Sequence, residues 1–131
     1  MYYFSHARFT GSSRLVLAPS VSAAAPVIVF VSGDWNGGGG SLTNPSGVPS
    51  AFQLYSSGTS VDNSGQAGFQ GLVHAPDAQV RVVGGGDFFG AINARELVNA
   101  GGSALHYDLA AANVVAPNGR LAITSWREAA Q

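Results

Sequence analysis

Seven carboxylates and three histidines are the side chains through which this chain could do acid–base or metal chemistry: Asp34, Asp62, Asp77, Asp87, Glu96, Asp108 and Glu128, with His6, His74 and His106. Cleaving a polysaccharide takes carboxylates and a basic group converging on one surface. A zinc site takes three or four ligands meeting at one point. The register of repeats described below puts His74 in line with Tyr55 and Asn93, and His106 in line with Phe89. The two histidines therefore fall at different places and no metal site is expected. Asp77 falls at a turn after His74 and Asp87 at another corner, so they are not expected to meet. Asp34 and Asp87 each follow a glycine, the pattern of a turn aspartate bonded to its own backbone. His106-Tyr107-Asp108 is the densest polar cluster. It could contact a ligand. The preferred reading is a cap, with the Tyr107 ring over the open end of the fold and Asp108 starting a short helical turn.

Other chemistries are missing their parts. There is no cysteine, which removes disulfides, cysteine zinc sites, iron–sulfur clusters and thiol nucleophiles. No Gly-x-Ser-x-Gly elbow occurs. The glycine-rich segments lack the lysine and helix of a phosphate loop. Gly84-Gly85-Gly86-Asp87 does not recur at the period of calcium-binding β-repeats. No catalytic residue, metal or cofactor is assigned, and the expected class is not an enzyme.

Composition narrows the partners. Only 10% of the 131 residues are charged and 46% are hydrophobic, against a usual charged share of about 25%. Net charge is −1 and the six cations are scattered arginines, so the clustered basic surface that nucleic acid requires is absent. Met1 to His6 lacks the basic-then-apolar pattern of an export signal. The longest apolar run, Ala23 to Val31, contains Pro26 and is far shorter than the roughly 20 residues of a membrane helix.

These residues must be positioned by strands. Glycine fills 18 positions and clusters at Gly37–Gly40, Gly84–Gly86 and Gly101–Gly102. Between clusters lie short β-branched runs. Val27-Ile28-Val29-Phe30-Val31 reads as a buried strand, and Ala78-Gln79-Val80-Arg81-Val82 alternates as a half-buried one. Phe69-Gln70-Gly71-Leu72-Val73-His74-Ala75 superposes on Phe88-Phe89-Gly90-Ala91-Ile92-Asn93-Ala94. Gln53-Leu54-Tyr55 superposes on Leu72-Val73-His74, Val80 on Leu97, and Gly84 on Gly101. A repeat of about 17–20 residues with glycine corners suits one coil of an all-β solenoid, a short right-handed β-helix. One domain is expected over residues 1–131. Residues 1–25 form an irregular first coil, 33–49 a long Gly-rich loop, 50–108 regular coils and 109–131 a C-terminal cap. That cap includes a strand from Leu121 to Trp126.

The repeats resemble a family. Gly71-Leu72-Val73-His74-Ala75-Pro76-Asp77-Ala78, Gly86-Asp87-Phe88-Phe89-Gly90-Ala91-Ile92 and Ala104-Leu105-His106-Tyr107-Asp108 are similar to the C-terminal domain of unknown function in bacterial PilX-type pilus assembly proteins. Val29-Phe30-Val31-Ser32-Gly33-Asp34 and Trp126-Arg127-Glu128 carry the likeness to either side. Related choice-of-anchor surface domains share the Ala-Pro turn. His74 stands where that family usually has tyrosine, and Asp77 where it has asparagine. The resemblance implies a β-helical fold, an extracellular or bacterial cell-surface location and no catalytic residues.

Two functions of different classes are therefore expected. The first is a structural or assembly module of a pilus-like apparatus, contacting other subunits or itself. The second is an adhesin-like module binding carbohydrate or another regular surface, with an exposed Trp35 beside the glycine run as a contact. Ice binding is disfavoured because the threonines do not recur at the repeat period. The candidate ligand or assembly contacts are Trp35, Tyr55, His74, His106, Tyr107 and Trp126.

Overall fold

The computed structural model describes residues 1–37, 41–65, 68–116 and 119–120. The fold is all-β. The first three strands are β1 (Tyr2–Phe4), β2 (Ala7–Arg8) and β3 (Arg14–Val16). They are followed by β4 (Val27–Val31), β5 (Trp35–Asn36) and β6 (Ser41–Thr43). Next come β7 (Phe52–Ser56), β8 (Ser60–Asp62), β9 (Phe69–Val83), β10 (Phe88–Ala100) and β11 (Leu105–Tyr107). A small antiparallel hairpin, β12 (Val115–Ala116) with β13 (Gly119–Arg120), comes last.

Apart from that hairpin, every pairing among the described residues is parallel, and each strand meets an equivalent strand from the next passage of the chain. One sheet runs in the order β1-β4-β7-β9-β8-β5-β2. It folds back on itself because β9 is shared: its first half pairs with β7 and its second half with β8. The corner lies within β9. Val73 and Ala75 point inward, Pro76 and Asp77 are both exposed, and Ala78 and Val80 point inward again. Two successive outward residues reverse the alternation of the strand and so turn the inward face. Ala75 and Ala78 are fully buried on either side. Pro76-Asp77 is thus a bend inside a continuous strand, not the separate turn that the sequence suggests.

The expected registers hold. Tyr55 faces His74, His74 faces Asn93, Gly71 faces Gly90, and Val80 faces Leu97. His74 and Asn93 are 19 residues apart. The early passages are longer, with Phe30 facing Tyr55 25 residues on. The reason is that residues 33–49 are not simply a loop. They contribute β5 and β6, and β6 pairs with β3 as a further two-stranded sheet.

The core is filled by columns of side chains. Val29, Leu54 and Val73 stand above one another, each buried. Phe69 and Phe88 stack with ring centres 5.1 Å apart. Through Phe52, Trp35 and Phe9 the aromatic packing continues toward the first passage. Such ring pairs add about 0.5–1.5 kcal/mol each beyond area burial. The tail strand from Leu121 to Trp126 lies outside the described residues, so its capping role and Trp126 as a contact stand as sequence expectations only.

Candidate functional site

Trp35 is not an exposed contact: it is 3% exposed. Its strand is only two residues long, but the position pairs with Ala7 and Val61 on the inward face. The ring packs against Phe9 and Phe52, and Nε1–H donates to Asn63 Oδ1 at 3.1 Å. Burial with a satisfied N–H is what an indole needs in a core. The adhesin contact proposed for Trp35 is therefore withdrawn.

Tyr55 and His74 do lie side by side on the outward face. They belong to a column, Tyr3–Phe30–Tyr55–His74–Asn93, that runs across five passages of the chain. Tyr3 and Phe30 are stacked at 5.0 Å, Phe30 and Tyr55 at 5.1 Å, and His74 is tilted against Tyr55 at 5.6 Å. An open groove of about 620 Å³ follows this column, with Ser32, Ser57 and Asp77 on its polar side. Within the column the rings cover each other's faces, and the ring at its head, Tyr3, is 71% exposed. Burial pushes the Tyr55 phenol above its usual range. Its hydroxyl donates to Gln53 Oε1 at 3.2 Å.

His74 is partly buried, which lowers its pKa below the usual imidazole value of 6.5. Asn93 Nδ2 lies 3.3 Å from His74 Nδ1. An amide nitrogen can only donate, so the contact requires that ring nitrogen to be bare. The folded state thus favours neutral His74. Its contribution to stability is complete above about pH 6.5 and is lost as pH falls from there through the lower folded value. The prediction is that wild-type urea midpoints drop on the acid side of pH 6.5, and that His74→Tyr, which extends the aromatic column, removes that part of the drop. Midpoints measured from pH 7.5 to pH 5 for both proteins check this.

His106 stands in a different column, stacked on Phe89 at 4.4 Å. Its Nε2 is 3.2 Å from Asp87 Oδ2. Asp87 Oδ1 accepts the Ala104 backbone N–H at 2.9 Å. This backbone hydrogen bond, followed by the one to His106, holds the Asp87 carboxyl below the usual carboxylate range. Asp34 does the equivalent one end earlier: Oδ1 accepts the backbone N–H groups of Thr59 and Ser60, both at 3.0 Å. Neither aspartate bonds its own turn, as the Gly-Asp pattern suggested. Each reaches the following passage of the chain, because the parallel register sets that backbone directly beside it. Asp108 does cap the short 3-10 turn Leu109–Asn113, accepting the Ala110 N–H at 3.0 Å. Tyr107 sits half-exposed in the outermost strand.

The candidate groups are therefore not brought to one point. Among the described residues, no three His, Asp or Glu side chains are placed to hold a metal ion. No helix among them is long and apolar enough to cross a membrane. Several of the polar side chains share one kind of partner, while Asp62 and Asp108 bond their own turns. Asp34, Asp87, Ser56, Ser57, Gln79 and His74 each hydrogen-bond to the adjacent passage of the chain.

A family model for a domain of unknown function, DUF7305, matches residues 18–114. The chain belongs to this family. The match takes in β4 to β11, and so spans the aromatic column from Phe30 to Asn93 and both inter-passage aspartates of the DUF7305 domain. No curated protein and no solved structure matches the chain.

Proposed function

We propose that this DUF7305 domain is a short right-handed β-solenoid that serves as a non-catalytic structural or assembly module of a bacterial surface or pilus-like apparatus. The observation that carries the reading is the use made of its polar side chains. Asp34 and Asp87, with Ser56 and Ser57, bond one passage of the chain to the next instead of converging on a reactive site. A molecule built this way is a rigid spacer whose two ends are strand edges. The parallel registers and the stacked aromatic column support the solenoid. The motif likeness to PilX-type proteins supports the cell-surface setting. The test is fractionation of the source bacterium with an antibody to the domain. The expected result is labelling of intact cells and enrichment in sheared appendages, and signal confined to the cytoplasm would overturn the reading.

The groove along Tyr3, Phe30, Tyr55 and His74 favours a second reading, a carbohydrate-binding module. It would hold sugar hydroxyls with Ser32, Ser57 and Asp77 and set the sugar's apolar face against the exposed Tyr3 ring. Saturable binding on a glycan array, lost in Tyr55→Ala with the fold intact, would support it over the first.

A further inference from the structure

Among the described residues, the strands at both ends of the stack leave an edge unpaired, and they do so in the same columns. At the first end, β1 and β2 each have one paired neighbour. Met1, Tyr2, Tyr3 and Phe4 are 63%, 56%, 71% and 48% exposed there. At the other end, β11 covers only Phe88, Phe89 and Gly90 of β10. From Ala91 to Ala100, no described strand pairs with the outer edge of β10. An apolar hollow of about 470 Å³ opens on this side, lined by Phe88, Ile92, Leu97 and Leu105.

The registers connect these ends. Tyr2 heads the column Val29–Leu54–Val73–Ile92, and Tyr3 heads the one that ends at Asn93. Ala7 heads the column Trp35–Val61–Val80–Leu97, and Arg8 the one that ends at Val98. Among the described residues, the layer that β11 begins thus has no counterpart of the segment that β1 and β2 supply in the first layer. One charge pair falls in the same place: Glu96, preceded by Arg95, lies one residue before Leu97 at the far end, and Arg8 follows Ala7 at the near end.

We propose that a second copy of this chain docks head to tail, its β1 and β2 pairing in parallel with Ile92–Ala94 and Leu97–Val98. Tyr2 of the incoming copy then enters the apolar hollow over Ile92, Tyr3 continues the outward column above Asn93, and Arg8 approaches Glu96. The two surfaces are different, so the contact is heterologous and each added copy exposes a fresh acceptor edge. Open fibres result instead of closed dimers. The proposal rests on the assembly reading and names its partner.

The experiment uses the full chain and two edge-blocked variants, Tyr2→Glu and Leu97→Lys, each first shown by circular dichroism and thermal melting to be folded. Both positions are exposed, Leu97 at 40%, so the core is spared. Sedimentation velocity and negative-stain electron microscopy read the assemblies. Wild type is expected to elongate with concentration into fibres of uniform width. Each variant alone should lose every species beyond the monomer. An equal mixture should form a heterodimer and nothing longer, since one partner keeps only its donor edge and the other only its acceptor edge. A wild-type chain that stays monomeric overturns the proposal, as does one that elongates only after residues 121–131 are deleted. Fibres that survive both variants also overturn it. Any of these failures would leave surface labelling unchanged, so it would be distinguishable from failure of the assembly-module reading.

Discussion

Gly90→Val is expected to prevent stable folding, and Gly90→Ala to cost about 2–6 kcal/mol, a large share of the roughly 5–15 kcal/mol that holds a small domain together. Two causes act together. Gly90 has φ +144°, where an L side chain is strained. A Cβ at this position would also fall onto the backbone carbonyl of Gly71, the residue opposite it in the neighbouring passage. Backbone cannot move aside as a side chain can, so relief would require separating β9 from β10 along their longest pairing. Gly71 in turn must stay small because the rings of Phe52 and Phe69 press against it. Gly47→Ala is the control. Gly47 also has positive φ, at +65°, but nothing lies within 4 Å of its Cβ position. It should therefore lose only the backbone component, about 1 kcal/mol. Urea denaturation of the three variants checks the order: Gly47→Ala near wild type, Gly90→Ala far below it, and Gly90→Val without a cooperative transition.

Trp35→Ala should cost about 3–5 kcal/mol, the usual range for deleting a large buried ring. The ring bridges Phe9 to Phe52, so its loss opens the core between the first and third passages of the chain. It also leaves Asn63 Oδ1 without its donor. Trp35→Phe should recover much of the packing but not the hydrogen bond, and its midpoint should fall between the two. If Trp35 were instead a surface contact for a ligand, Trp35→Ala would leave the denaturation midpoint unchanged. The size of the drop therefore separates the core role from the adhesin role first suggested by the glycine-rich neighbourhood.

The difference between Gly90 and Trp35 explains what the sequence discloses. Gly71 and Gly90 sit in two long, similar segments, and both must be glycine because each passage presses on the next. The repeat is written twice and can be aligned. Tyr55, His74 and Asn93 are legible for the same reason, since a shared outward position tolerates varied but recognisable side chains. Trp35 is flanked by Asp34 and Asn36 in a two-residue strand. Two residues show no alternation, so nothing local distinguishes an inward tryptophan from an exposed one. β6 was hidden in the same way, beside a run of four glycines. The aspartates are harder still. Gly-Asp reads as a self-capped turn, and only the parallel register reveals that Asp34 and Asp87 reach Thr59 and Ala104. The unpaired edges of β1 and β10 among the described strands are not legible at all, because no local residue pattern marks an edge.

Fold, columns and edges all depend on neighbouring passages lying in parallel and in one register, and a cross-link tests that directly. The chain has no cysteine, so Gln79→Cys with Glu96→Cys would introduce the only two thiols. These exposed side chains face each other, with Gln79 Nε2 2.9 Å from Glu96 Oε2, and adjacent strands about 4.8 Å apart suit a disulfide. Mild oxidation of the folded double variant is predicted to give a fast, nearly complete intramolecular bond, while Gln79→Cys with Asn93→Cys gives little. Efficient closure of the second pair, with the first remaining reduced, would contradict the register and every inference drawn from it.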